Sequence, residues 1–238
     1  MLTWCENHYE EQLTLLKTLA AIPAPSHQEE QRAAFIKNWL EEQGAEKVSV
    51  DEAGNVILPF DVAGKRSCTV FMAHMDVVFP DVTPLPVREE EGKLYAPGVG
   101  DDTANVVALM LCAQYLLEHP EVIKKPLLLV FNSGEEGLGN LKGTRQIFKD
   151  YEGRIKQFIL FYMYRVYVGD VRRAKEPESP VSRCRHAVLQ RPVFCQGVPH
   201  AHEHPSFYLA RHRQRVHHLA GVEGRVDVGY PSLCIEHG

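Results

Sequence analysis

The sequence predicts an α/β fold in which a mostly parallel β-sheet is flanked by helices, as in a three-layer sandwich. Strand-like apolar runs alternate with segments of helical period along the first 161 residues, which is typical of layered α/β domains. One run, residues 127–131, is continuously apolar, as expected for a central parallel strand that is buried on both faces. These two observations fix the fold class.

Two helices are predicted first along the chain. The segment Glu10–Ala21 has amphipathic spacing, and the prolines of residues 22–25 end it. Ser26 followed three residues later by Glu29 is a capping-box signature for a second helix. The apolar stripe of that helix consists of Phe35, Ile36, Trp39 and Leu40.

The next elements are a hairpin, a strand and a buried helix. Apolar residues alternate on both sides of residues 51–55, which predicts a β-hairpin. Residues 69–73 form a strand-like run, and residues 103–117 are apolar on almost every side, which predicts a buried helix. Another apolar run, residues 158–161, closes this part of the chain.

Three short polar clusters follow or adjoin these apolar runs. The first contains His74 and Asp76, and because side chains alternate along a strand, both can project from one face. Zinc accepts imidazole nitrogen and carboxylate oxygen, and a ligating histidine needs a partner on its other ring nitrogen. We therefore expect one residue to bind a metal and the other to orient it.

The other two clusters supply carboxylates. Asp101 follows glycines that allow a tight turn, and it precedes the predicted buried helix. Glu135 and Glu136 come just past the end of the apolar run at residues 127–131. Ligands gather at this edge of open α/β sheets. The three clusters together therefore predict a two-metal hydrolytic site.

The three clusters resemble those of the zinc-dependent exopeptidase and deacylase family, metallopeptidase family twenty. This family includes glutamate carboxypeptidase, aminoacylase, succinyl-diaminopimelate desuccinylase and peptidase T, and the resemblance covers about residues 13–161. It implies hydrolysis of peptide or N-acyl amide bonds by two zinc ions, for which cobalt can substitute. Small peptides or N-acyl amino acids are the implied substrates.

The resemblance also implies a role for each site residue. His74 would bind one metal, Asp101 would bridge both and Glu136 would bind the second. Asp76 would support His74, and Glu135 would be the general base that takes a proton from water. Such a division fits metal-assisted amide hydrolysis on chemical grounds.

The composition of the chain changes near residue 162. Residues 1–161 contain 15 basic and 24 acidic residues, whereas residues 162–238 contain 11 basic and 7 acidic ones. Ten of those 11 basic residues are arginine, and no sustained helical or strand period is evident there. We therefore predict two regions: a partial catalytic domain at 1–161 and an irregular Arg/His-rich tail at 162–238.

Several features that the resemblance implies are missing after this boundary. Family members carry an acidic metal ligand after a run like residues 158–161, but here the next residue is Tyr162. The Gly-Gly-His motif of the lid or dimerisation domain and the distal histidine ligand are also absent. We interpret the tail as a departure from the original reading frame or a fusion. Each metal would keep two protein ligands, so we expect little or no hydrolase activity, and we do not expect dimerisation.

A non-catalytic binding protein is the alternative function. Arg211, Arg213 and Arg215 permit contacts with phosphate groups or acidic partners. No recognisable nucleic-acid-binding motif accompanies them, so we do not expect nucleic-acid binding. No signal peptide or membrane span is evident, and the cysteines show no Cys-x-x-Cys spacing. The predicted location is the cytoplasm.

Overall fold

A computed structural model describes residues 2–62, 64, 67–90, 92–162 and 165–170. The α-helices of these residues are α1 (Leu2–Asn7), α2 (Tyr9–Ala21), α3 (Glu30–Glu42), α4 (Ala104–Glu118) and α5 (Lys142–Asp150). The strands are β1 (Ser49–Val50), β2 (Val56–Phe60), β3 (Cys68–His74), β4 (Arg88–Glu90), β5 (Lys93–Tyr95), β6 (Leu127–Asn132), β7 (Ile155–Tyr162) and β8 (Arg165–Asp170). Short 3₁₀ turns lie at Pro120–Val122 and Gly137–Gly139.

The main sheet has the strand order β1-β2-β6-β3-β7-β8, and β4 with β5 forms a separate hairpin. Strand β3 pairs in parallel with both β6 and β7. Antiparallel pairing joins β2 to β1 and to β6, and joins β8 to β7. Strands β1, β3, β6 and β7 therefore run in one direction, which confirms the predicted mostly parallel sheet.

Helices cover both faces of this sheet, as the three-layer prediction requires. On one face, α2, α3 and α4 pack through residues such as Leu19, Ile36 and Met110. On the other face, Ile147 of α5 packs against Val70 and neighbouring strand residues. Leu19, Ile36, Met110, Val70 and Ile147 are all essentially inaccessible to solvent, so burial of the apolar faces holds the layers together.

The predicted helices, strands and hairpin of residues 10–161 are present, and two details differ from expectation. The helix α1 was not anticipated from its polar sequence. The capping box at Ser26 and Glu29 is wrong: α3 has no side-chain hydrogen bond at its N-terminus. Both side chains instead turn toward the end of β3 and the loop after β6, because polar partners there compete with the helix for them.

The prediction of an irregular tail from residue 162 is also wrong for residues 165–170. Strand β8, at residues 165–170, continues the sheet by pairing with β7. Val166, Tyr167 and Val168 are residue types that favour strands, but this run of three is too short to show a sustained period. The remaining tail, residues 171–238, lies outside the described residues. The predictions of irregular structure there and of a binding role for Arg211, Arg213 and Arg215 therefore stay predictions.

No helix within the described part of the chain has the length and apolar character needed to cross a membrane.

Candidate metal centre

The end of β3 places His74 and Asp76 at the carboxyl edge of the sheet. Both residues are fully buried. The Nδ1 atom of His74 lies 3.0 Å from the backbone oxygen of Asp76 and 3.5 Å from its Oδ1. A carbonyl oxygen only accepts hydrogen bonds, so Nδ1 is the donor. The other ring nitrogen, Nε2, therefore faces the remaining site residues.

The second part of the site is the irregular turn Val99–Thr103, which leads directly into α4. Asp101 and Asp102 have non-helical backbone angles in this turn, and the peptide bond between them is cis. The Oδ1 atom of Asp101 lies 3.2 Å from Nε2 of His74. Oδ2 of Asp102 accepts a hydrogen bond of 3.2 Å from the backbone N–H of His74. Successive carboxylates thus contact opposite parts of one histidine.

The third part is the loop after β6, which carries Glu135 and Glu136. Its backbone is held by the Asp76 carboxylate: Oδ1 accepts the N–H of Glu135 at 3.0 Å, and Oδ2 accepts the N–H of Glu136 at 2.9 Å. Oε2 of Glu135 lies 3.9 Å from Nε2 of His74. Asp76 therefore joins the end of β3 to the loop that bears both glutamates.

Glycines allow this loop to fold back on itself. A Cβ atom on Gly139 would lie 2.5 Å from the Cα of Gly134, which is closer than real contacts allow. Gly134 has a φ of 59°, in the left-handed region that favours glycine. The sequence from Gly134 to Gly139 therefore requires glycine at both ends of the turn.

The charges of the site perturb one another. Burial disfavours the charged form of His74, but its hydrogen bonds to Asp101 and Asp76 and nearby negative charges raise its pKa well above the usual value. Burial alone would raise the pKa of Asp76, yet the hydrogen bond and charge of His74 and the N–H of Glu135 lower it. Asp76 is therefore the carboxylate whose charge this site favours.

The remaining acidic groups are affected in the opposite direction. Burial raises the pKa of Glu136 to about 7, against an opposing effect of His74 and with added repulsion from Glu135 and Asp101. Burial likewise raises the pKa of Asp102 to about 7, with His74 opposing it. The pKa of Glu135 is also raised, chiefly by burial. The positive charge of His74 is thus too small to offset the negative charge that these carboxylates would carry when ionised.

This donor set fits a divalent cation. Two overlapping groups of potential ligand atoms, each within 4.8 Å of one another, share His74: one adds Glu135 and Glu136, and the other adds Asp101 and Asp102. With Asp76, five carboxyl groups thus lie around a side chain that can carry only one positive charge. Imidazole nitrogen and carboxylate oxygen are ligands that zinc accepts. A bound divalent ion would offset the remaining negative charge.

All five predicted site residues lie at this edge of the sheet. His74 contacts Asp76, Asp101 and Glu135 directly, and Glu136 joins Glu135 in one group of potential ligands. The two groups do not put Asp101 together with Glu136. The individual roles of these residues stay predictions.

Sequence reasoning missed four contributors: Asp102, Ser26, Glu29 and Arg32. Asp102 offered a signal, because two successive acidic residues precede a buried helix. Arg32 offered another, because a basic residue on a helix face that is otherwise apolar needs buried acceptors. Its side chain is 1% exposed and donates to the backbone oxygens of Ile22 and Met75.

Curated relatives share part of this chain. A [LysW]-lysine hydrolase of Deinococcus radiodurans is 30% identical over 139 residues, which cover 58% of this chain and 36% of the relative. A putative [LysW]-lysine/[LysW]-ornithine hydrolase of Pyrobaculum aerophilum is 37% identical over 97 residues, covering 40% of this chain and 26% of the relative. The chain therefore spans about a third or less of the length of these relatives.

Solved structures share the fold. Human carnosine dipeptidase 1 superposes with a TM-score of 0.54 at 16% identity, covering 67% of this chain and 40% of that protein. A Staphylococcus aureus tripeptidase gives a TM-score of 0.52 at 19% identity, covering 64% of this chain and 43% of that one.

The candidate ligands also lie in the part of the chain that matches a protein-family model. The model for peptidase family M20/M25/M40 matches residues 70–210. This range begins inside β3 and includes all five predicted site residues. It also continues past residue 162, and the domain boundary predicted there stays a prediction. The match covers more than half of the residues of this chain. The chain therefore belongs to peptidase family M20/M25/M40.

Proposed function

We propose that this chain carries the metal-binding part of a hydrolase site that cleaves peptide or N-acyl amide bonds. The observation that carries the proposal is the convergence of Asp101, Asp102, Glu135 and Glu136 on the buried His74 at the carboxyl edge of the sheet. Membership of a peptidase family supports the reaction class.

Two zinc ions are the proposed metals, for which cobalt can substitute: His74 would hold one ion, Asp101 would serve both and Glu136 would hold the other. A bound ion of this kind supplies polarisation of the amide carbonyl and lowers the pKa of water. The ring of His74 is oriented for such a role because its Nδ1 donates to the backbone oxygen of Asp76.

The proposed proton carrier is Glu135. Its side chain is 13% exposed, so it remains open to a substrate while most of it is shielded from water. Its Oε2 atom lies 3.9 Å from Nε2 of His74. A water held by a metal on His74 would therefore be within reach of Oε2. In this role Oε2 takes a proton from the attacking water and passes it to the departing amine nitrogen.

We also propose that the chain by itself has little or no activity. Catalytic zinc sites usually have three protein ligands and a water, whereas the predicted set gives each of two metals two ligands. The proposal includes a cytoplasmic location and no dimer. The two hydrolase relatives are named for [LysW]-lysine and [LysW]-ornithine, so these are substrates to test beside dipeptides and N-acetyl amino acids.

The test combines metal titration with hydrolysis assays on the purified 238-residue chain. We expect weak binding of zinc and cobalt, measured by calorimetry and by cobalt absorption, and no hydrolysis of this substrate panel above a metal-only control. The variant His74→Ala should lose metal binding because both groups of potential ligands share that residue. Measurable turnover would overturn the inactivity, and equal metal binding by the variant would overturn the site.

A further inference from the structure

The segment before α3 contacts the metal centre from the far N-terminal part of the chain. The hydroxyl of Ser26 donates to Oδ2 of Asp76 at 2.7 Å and lies 3.3 Å from the backbone oxygen of Glu136. Ser26 therefore touches both the carboxylate that anchors the glutamate loop and the loop itself. It has no capping bond to α3.

Glu29 makes the second contact of this segment with the loop. Its side chain is 5% exposed, and its Oε1 accepts the backbone N–H of Gly134 at 2.8 Å. The same oxygen accepts the N–H of His27 at 3.0 Å, which fixes the glutamate against its own turn. Glu29 thus holds the residue that directly precedes Glu135.

The segment is itself fixed to the end of β3. Val77 donates a backbone hydrogen bond of 2.9 Å to Ala24, and Pro25 and Val77 form an isolated parallel bridge. Arg32 adds a hydrogen bond of 2.8 Å to the backbone oxygen of Met75, between His74 and Asp76. Strand end, N-terminal segment and loop are therefore tied to one another.

Three consecutive backbone N–H groups of the loop consequently point at side-chain carboxylates from elsewhere. Gly134 donates to Glu29, whereas Glu135 and Glu136 donate to Asp76. Hydrogen bonds to charged acceptors contribute more than neutral ones and fix direction as well as distance. We propose that Glu29, with Ser26, is a positioning residue that sets the loop so that Glu135 and Glu136 face His74.

The expected effect of Glu29 on metal binding rests on the proposed function. Its expected effect on the geometry of the loop does not. Partners that orient metal ligands typically change metal affinity by about 10- to 100-fold when they are removed. Glu29 acts through the backbone of Gly134 rather than through a ligand side chain, so the lower end of that range, about ten-fold, is expected.

The deciding experiment measures hydrogen exchange of individual backbone amides in the full-length protein without metal. In Glu29→Ala the amide of Gly134 loses its acceptor, and we expect its exchange to accelerate about ten-fold. Ser26→Ala should accelerate exchange at Glu136. The conservative variant Glu29→Gln keeps an acceptor oxygen and should stay within about three-fold of the parent.

A control is Glu41→Ala, which removes a carboxylate of α3 that forms a surface ion pair with Lys37. This control should leave exchange at residues 134–136 unchanged. Uniform acceleration through the sheet in Glu29→Ala, or no acceleration at residues 134–136, would overturn the positioning role.

Cobalt titration of the same variants separates this inference from the proposed function. If the parent binds cobalt, Glu29→Ala should bind it about ten-fold more weakly, and Glu29→Gln should recover most of that loss. If the parent binds no cobalt, the metal site proposed above fails, while the exchange data still decide whether Glu29 positions the loop.

Discussion

The two strand ends that build the candidate metal centre are held in different ways. His74 belongs to β3 itself, so the ladder that pairs it with Asn132 fixes its backbone. Glu135 and Glu136 lie beyond the end of β6, and the carboxylate of Asp76 accepts their N–H groups. The comparison shows that one half of the site takes its geometry from the sheet, whereas the other half takes it from side chains of distant segments.

The variant Asp76→Asn should have the largest effect on the half of the site that side chains hold. Each carboxylate oxygen of Asp76 accepts a backbone N–H of the loop, so an amide nitrogen would face a donor in either orientation. We expect a loss of about 2 to 3 kcal/mol in the free energy of unfolding, measured by urea denaturation without metal.

The control for Asp76→Asn is Asp81→Asn, an exposed carboxylate in the segment that follows β3. Surface changes of this kind stay within about 0.5 kcal/mol. Equal unfolding curves for both variants would show that Asp76 does not hold the loop.

A second variant, Gly139→Ala, tests the loop without touching a charged group. Its Cβ would lie 2.5 Å from the backbone of Gly134, so we expect a loss of about 1 to 3 kcal/mol in unfolding free energy from overpacking.

Gly137→Ala is the matched change in the same loop, since its Cβ would meet no atom within 4 Å but its φ is 39°. It should cost about 1 kcal/mol from backbone conformation alone. Thermal unfolding of the two variants side by side measures the difference. A cost for Gly139→Ala no greater than that for Gly137→Ala would contradict the close approach.

The smallest expected effect comes from Ser133→Ala, at the junction of strand and loop. The hydroxyl of Ser133 donates to the backbone oxygen of Ala53, away from the carboxylates. We expect a loss of about 1 kcal/mol in unfolding free energy and no change in cobalt affinity. A clear fall in cobalt affinity would mean that the β6 end, like the β3 end, positions ligands through the sheet.

The strands that carry the site could be predicted from the sequence because their apolar runs are a strong local signal. Residues 69–73 and 127–131 are apolar runs that became adjacent parallel strands, and this arrangement alone brings the regions of His74 and Glu135 to one edge. Asp101 was placed correctly before a buried helix for the same reason: α4 follows it directly.

The anchoring of the loop could not be read from the sequence. Ser26 and Glu29 have the spacing of a capping box, a local pattern, yet their partners are 50 and 105 residues away. Local spacing cannot distinguish a helix cap from a tertiary contact when the same side chains suit both. Strand β8, which pairs with β7, escaped for a different reason: its strand-favouring run is only the three residues Val166, Tyr167 and Val168.

The hydrogen bond between Glu29 and Gly134 spans 105 residues and therefore has a consequence for the order of folding. During synthesis the N-terminal helices leave the ribosome long before the glutamate loop exists. Contacts between such distant segments form late, since a long stretch of chain must first be closed. Glu29 and Ser26 are therefore synthesised well before their partners, and the candidate site can be completed only after residue 136 has left the ribosome.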